Sequence, residues 1–207
     1  SKADEYYEKA AEFCGPEKCY EIGLAMESEG REEKRYMVWY QKAADNGYAP
    51  AQYKVGAYQE EHGTRAKMLE YYQKAADSGY APAQYRMGLQ YECEGGVRNL
   101  QTAKEEYQKA AEQNYAPAQY AMGRFCEKEG AGNRQKEEMA LSWYRLAAEQ
   151  GNAPAQCAVG RFYENGMAGL DRNEAKAIEW YTLGQDDDSV DVQYVMAHRY
   201  LKGIGVA

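Results

Sequence analysis

Few residues in this chain could take part in chemistry, and their number and spacing limit what that chemistry could be. There are two histidines, His62 and His198, far apart in the sequence. A histidine-relayed nucleophile needs its partners within hydrogen-bond reach, and a multi-histidine metal site needs imidazoles that converge. No Ser-x-x-Lys, no phosphate-cradling glycine loop and no paired C-x-x-C motif occurs. Asp186, Asp187 and Asp188 carry enough charge for a cation. Ser189 follows them as a helix N-cap, so the run reads more simply as an acidic turn between helices. The expectation is no catalytic residue, no metal and no cofactor. Five cysteines are an odd number, so at least one thiol has no partner in the chain. Cys93, Cys126 and Cys157 fall in helical segments and read as small core residues.

Composition narrows the partner class. The 207 residues carry a net charge of −8, which argues against nucleic acid, where lysine and arginine must neutralise phosphates. No apolar run approaches the ~18 residues of a membrane helix, so no direct membrane insertion is expected. The 21 tyrosines against 3 phenylalanines and 3 tryptophans suit half-buried ridges and contact surfaces, because tyrosine has an apolar body and a polar tip. The sequence starts Ser1-Lys2-Ala3 without methionine, which leaves an exported origin open.

These residues are positioned by an internal repeat. The string A-P-A-Q-Y stands at 49–53, 81–85 and 116–120, with A-P-A-Q-C at 153–157, V-D-V-Q-Y at 190–194 and P-E-K-C-Y at 16–20. The glutamine column (Gln52, Gln84, Gln119, Gln156, Gln193) advances in steps of 32, 35, 37 and 37. A second block, of the type W-Y-x-K-A-A, starts at 6, 39, 71, 106, 143 and 180, always at one distance from that column. Such periods imply two helices per unit, stacked because a lone pair cannot bury both faces. Pro50, Pro82, Pro117 and Pro154 fit the first turn of each first helix, where a missing N–H costs little. Gly47, Gly79, Asn114, Gly151 and Asp188 form a column that suits the left-handed residue closing each second helix. Length variation is left to the other connection, around 30–34, 61–65, 94–101, 129–136 and 165–172. The reading is one domain over 1–207: an N-terminal half unit, five helix pairs and a final unpaired helix. The chain ends on Lys202-Gly203-Ile204-Gly205-Val206-Ala207, a loop that should lead into another helix.

Cys14 falls in the left-handed cap column and Cys19 in the glutamine column, two departures within one unit. A disulfide would account for both, since helix ends joined by so short a turn can meet the ~4.4–6.8 Å Cα separation a bridge requires. Two unrelated thiols are the other reading. A bridge would favour an oxidising compartment, so a periplasmic or exported bacterial protein is preferred to a cytoplasmic one.

Residues seven apart with an intermediate at i+4 share a helix face. Relative to the recurrent Gly23, Gly56, Gly88, Gly123, Gly160 and Ala197, three columns fall on one stripe of the first helices. Three residues before it stand Tyr20, Tyr53, Tyr85, Tyr120, Cys157 and Tyr194; one after it come Leu24, Ala57, Leu89, Arg124, Arg161 and His198. Four after it stand Glu27, Glu60, Glu92, Glu127, Glu164 and Leu201. A tyrosine ladder beside a glutamate ladder would favour a protein partner with a basic or mixed basic and apolar surface. The alternatives are tyrosines that only pack on the next repeat and glutamates that are solvated surface. The column just before the glycine (Ile22, Val55, Met87, Met122, Val159, Met196) should pack on Trp39, Tyr71, Trp143 and Trp180 as core.

The A-x-A-Q-Y-x-x-G, x-Y-x-x-G-x-G-V and W-Y-x-K-A-A-x-x-G elements together resemble the Sel1-like repeat family, a relative of the tetratricopeptide repeat. The G-x-G-V loop is intact only at Gly203–Val206, with looser versions at Gly95-Gly96-Val97 and Gly166–Leu170. The resemblance implies an all-α, right-handed superhelical solenoid of antiparallel helix pairs whose first helices line the concave face. It also implies a non-enzymatic protein-binding role: an immunity-like inhibitor of a secreted toxic enzyme such as a phospholipase, or a scaffold of the bacterial cell envelope. A cysteine-rich branch of the family is linked to β-lactam hydrolysis, for which this sequence shows no nucleophile.

Overall fold

The computed structural model describes residues 6, 14–130, 132–184 and 190–201, without the side chains of residues 190, 191, 198 and 199. Every regular element among the described residues is a helix. In chain order they are α1 (Pro16–Ser28), α2 (Glu33–Asp45), α3 (Ala49–His62), α4 (Arg65–Asp77), α5 (Ala81–Glu94), α6 (Val97–Glu112), α7 (Ala116–Glu129), α8 (Arg134–Glu149), α9 (Ala153–Asn165), α10 (Glu174–Gly184) and α11 (Val190–Leu201). Odd-numbered helices are the first of each pair and even-numbered helices the second. The chain divides into two compact units, residues 1–99 and 100–207. The boundary falls near the start of α6.

Local chemistry sets the helix ends. Pro50, Pro82, Pro117 and Pro154 sit in the first turns of α3, α5, α7 and α9. The second helices close on a left-handed residue: Gly47, Gly79, Asn114 and Gly151, at φ +82°, +81°, +62° and +83°. Around the first of these, the Gly47 N–H donates to the Ala44 carbonyl and the Tyr48 N–H to the Ala43 carbonyl. That double closure is the Schellman arrangement, and it recurs at the other three positions. Tyr48 then begins the next first helix, so the turn has no spare residue. This is the physical reason for the constant distance between the two sequence blocks. Asp188, the fifth member of the column, lies outside the described residues.

The buried glutamines reinforce the same turn. Gln52, Gln84, Gln119 and Gln156 donate from Nε2 to the carbonyls of Ala44, Ala76, Ala111 and Ala148, at 3.3, 3.4, 3.3 and 3.2 Å. Each side chain therefore ties the start of a first helix to the end of the second helix before it. Alanine pairs (Ala43 and Ala44, Ala75 and Ala76, Ala110 and Ala111, Ala147 and Ala148) are buried where helices approach closely.

In unit 1 the core joins Ile22, Met26, Trp39, Tyr40 and Val55, then Met68, Tyr72 and Met87. In unit 2 it joins Cys126, Leu141, Tyr144, Val159 and Phe162, then Cys157, Tyr181 and Val192. The expected core column is buried at Ile22, Val55, Met87, Met122 and Val159. Its aromatic partners differ in depth from the expectation. Trp39 is buried, but Tyr71, Trp143 and Trp180 are only partly so. The next residue along each second helix goes deepest: Tyr40, Tyr72, Tyr107, Tyr144 and Tyr181 are at most 1% exposed.

Candidate partner-binding face

In each of α2, α4, α8 and α10 the buried tyrosine organises the face of the first helix before it. Its ring lies against the recurrent glycine. A Cβ built on Gly23, Gly56 or Gly123 would stand 2.6, 2.6 or 2.5 Å from the ring of Tyr40, Tyr72 or Tyr144. On Gly160 it would stand 3.0 Å from Tyr181. Its hydroxyl donates to the glutamate one turn further along the first helix. Tyr40 donates to Glu27, Tyr72 to Glu60 at 2.8 Å, Tyr144 to Glu127 at 2.9 Å and Tyr181 to Glu164 at 2.8 Å. Glycine, tyrosine and glutamate thus form one repeating unit of structure. Burial pushes the Tyr40, Tyr72 and Tyr144 hydroxyls well above their ordinary range, and the facing carboxylates add to that.

Close packing at the glycine makes a directed prediction. Alanine is preferred to glycine inside a helix by about 1 kcal/mol. Overpacking a core costs about 1–3 kcal/mol. At Gly123 the Tyr144 ring is flanked by Tyr120 and Phe162, at 5.7 and 5.8 Å between centroids, so these rings must shift with it. Gly123→Ala is therefore expected to lower the urea midpoint of the protein. A raised midpoint would mean that the ring gives way freely.

Three of these glutamates also reach a cation of the following first helix. Lys54 Nζ lies 2.9 Å from Glu27 and 5.5 Å from the centre of the Tyr40 ring. Arg86 lies 3.7 Å from Glu60. Arg161 makes two parallel bonds of 2.7 Å to Glu127, the bidentate geometry that guanidinium and carboxylate favour. Burial raises the Glu27 and Glu127 carboxyls. At Glu27 the Tyr40 and Lys54 contacts outweigh this, and at Glu127 the Arg161 and Tyr144 contacts do, so both end below the usual carboxylate range.

The tyrosine ladder packs on the same buried rings. Tyr20 lies 5.4 Å from Tyr40, Tyr53 lies 5.5 Å from Tyr72, and Tyr120 lies 5.7 Å from Tyr144, by ring centroids. Tyr20 also meets Tyr48, and Tyr53 meets Tyr80, the residues that start the next first helices. Within a repeat the structure thus brings the tyrosine and glutamate columns together, on either side of one buried tyrosine. Tyr85 and Glu92 lie half-buried on α5, Leu24 and Arg124 are exposed, and Tyr194 on α11 is 70% exposed. The His198 side chain lies outside the described residues. Cys14 and Cys19 form a disulfide with Cα atoms 5.9 Å apart.

Their spacing puts Glu27, Glu60, Glu127 and Glu164 on the first-helix stripe but gives no sign of their tyrosine partners. The bonds cross the connection of variable length, with separations of 13, 12, 17 and 17 residues. One usable signal was present. A glycine recurring mid-helix, where it weakens the helix, marks a close approach by a neighbour.

Antiparallel helix pairs, proline-started first helices and glycine-capped second helices define an all-α repeat protein of tetratricopeptide type. More closely, a family model for the Sel1 repeat matches residues 1–12, 37–48, 49–68, 69–80, 81–115, 116–152, 153–184 and 190–207, and the chain belongs to the Sel1 repeat family. No curated protein matches it in sequence. Among solved structures it is similar to c5321, a protective antigen of uropathogenic Escherichia coli with an SLR fold. That match has 25% identity and a TM-score of 0.78, covering 95% of this chain and 44% of that one. The chain thus spans less than half the length of the E. coli protein. A Sel1 repeat protein from Oxalobacter formigenes matches at 26% identity and TM-score 0.75, covering 93% and 80%. The immunity protein PA5088 from Pseudomonas aeruginosa is similar in fold, at 24% identity and TM-score 0.59, covering 93% and 80%.

Proposed function

We propose that this chain is a non-enzymatic module that holds one partner protein on the exposed side of its first helices, and that the partner is a secreted toxic enzyme which it neutralises. The observation that carries the binding role is the repeated surface left over once each repeat is closed. Half-buried tyrosine edges recur at Tyr20, Tyr53 and Tyr120, with Leu24 and Arg124 exposed beside them on the same stripe. Tyrosine held by its neighbours loses little entropy on making a contact. Because Lys54, Arg86 and Arg161 already engage Glu27, Glu60 and Glu127, the recognition there is aromatic and mixed in charge rather than purely acidic. The inhibitory role draws on the fold shared with a P. aeruginosa immunity protein and on the Cys14–Cys19 bridge, which suits an oxidising compartment.

The test is co-purification from the source organism under non-reducing conditions. One stoichiometric partner whose enzymatic activity falls on adding the chain is the expected result. Several envelope proteins sharing no activity would overturn the inhibitor reading in favour of a scaffold. Turnover of a reporter β-lactam by the purified chain would overturn the non-enzymatic reading.

A further inference from the structure

One repeat of unit 1 departs from the others in a way that makes a pocket. The position three residues before the W-Y pair of a second helix is held by Met68, Ala103, Ala140 and Ala177, all buried apolar residues. In α2 it is Tyr36, which is only half-buried. Its ring meets that of Tyr40 edge-on at 5.8 Å between centroids. Beside it, between α1, α2 and α3, is a cavity of about 170 Å³ walled by Tyr36, Tyr40, Tyr58 and Met37. Three carboxylates border it, Glu27, Glu33 and Glu61, against one cation, Lys54. Lys54 is committed to Glu27, so the uncompensated charge belongs to Glu33 and Glu61 at the exposed mouth. His62 stands beside them, stacked on Tyr58 at 4.6 Å, with Nε2 3.7 Å from Glu33. That contact is an ion pair only when the imidazole is protonated.

We propose that this pocket receives a single cationic side chain, an arginine or lysine, from the partner protein. Size supports a side chain over a free ligand, since small-molecule sites occupy about 300–1,000 Å³. Aromatic walls with carboxylates at the rim suit a flat guanidinium best: its faces lie on tyrosine rings and its edges reach carboxylates. Burial, with Glu33, Glu27 and Glu61 nearby, holds the Tyr36 hydroxyl above its ordinary range, so it stays neutral and polar at the pocket wall. Glu33, Glu61 and His62 also place their ligand atoms within 4.8 Å of one another, a spacing open to a metal ion. The tyrosine walls, which a metal does not need, favour the organic cation.

The inference rests on the protein-binding reading and gives it a chemical anchor in unit 1. It is tested on the whole chain by following backbone amide resonances during titration with n-butylguanidinium. The expected result is saturable shifts confined to residues around Tyr36, Tyr58, Glu61 and His62. The neutral isostere n-butylurea should give none. The double variant Glu33→Gln/Glu61→Gln, altered only at exposed groups, should bind roughly fivefold more weakly, about 1 kcal/mol. Equal binding of the urea, equal affinity in the variant, or shifts spread over the acidic surface without saturation would overturn the proposal. So would saturable binding of zinc chloride at these residues with no response to the guanidinium, which would define a metal site. None of these failures bears on whether the chain captures a partner, which the co-purification decides.

Discussion

Replacing Tyr144 with alanine is expected to destabilise unit 2 by about 3–5 kcal/mol, the loss typical of a large aromatic removed from a core. Tyr144 is 1% exposed and packs on Gly123, Tyr120 and Phe162. The cavity would open against a helix that already carries no side chain at Gly123, so neighbouring atoms have little with which to fill it. Tyr144→Phe separates the ring from the hydroxyl. It keeps the packing and removes only the 2.9 Å bond to the Glu127 carboxylate, for an expected loss of about 1.5–3 kcal/mol. Urea denaturation of both variants checks the pair. A phenylalanine variant as unstable as the alanine variant would place the whole effect in the hydrogen bond and refute the packing account.

Glu127→Ala is the second large effect, expected to cost about 2–3 kcal/mol, because it strands the buried Tyr144 hydroxyl and a partly buried Arg161 together. The Glu127 side chain is 25% exposed and that of Arg161 35%, so solvent softens the loss below that of a fully buried pair. The effect carries a pH signature. The folded protein holds the Glu127 carboxyl below its ordinary value of 4.5. A lowered folded value means stability that is present in full above the unfolded pKa and lost as pH falls through the folded one. Wild type and variant should therefore differ most near neutrality and converge in acid, below about pH 4.5. A difference independent of pH would mean that Glu127 contributes shape rather than charge.

Much of the fold was legible because its determinants are local. Proline in the first turn, glycine or asparagine at the left-handed cap, and a fixed distance between blocks each act within a few residues. The Schellman turns at Gly47, Gly79, Asn114 and Gly151 follow from them. What was less legible depends on contacts across a loop of variable length. Two aromatic residues stand side by side in W-Y-x-K-A-A, and spacing alone could not say which goes deeper. The recurrent glycine marks the deeper one, since a Cβ there would stand 2.5–3.0 Å from the ring of Tyr40, Tyr72, Tyr144 or Tyr181. For the same reason the glutamate column looked like surface. Glu27, Glu60, Glu127 and Glu164 each take a hydroxyl from the buried tyrosine of the following second helix. The Tyr36 pocket was hidden by the repeat itself, because it arises where one unit breaks the pattern that the others keep.

The measurement that bears most directly on the central claim is the affinity of the captured partner for wild type and for face variants chosen to spare the fold. Leu24 and Arg124 are exposed on the first-helix stripe, one in each unit. Leu24→Glu should leave the urea midpoint unchanged, and at least one of Leu24→Glu and Arg124→Glu should weaken partner binding by roughly tenfold or more, about 1.4 kcal/mol. Full affinity in both variants, together with loss of binding on changing exposed residues of the second helices such as Val38 or Met139, would put the partner on the other face and contradict the account.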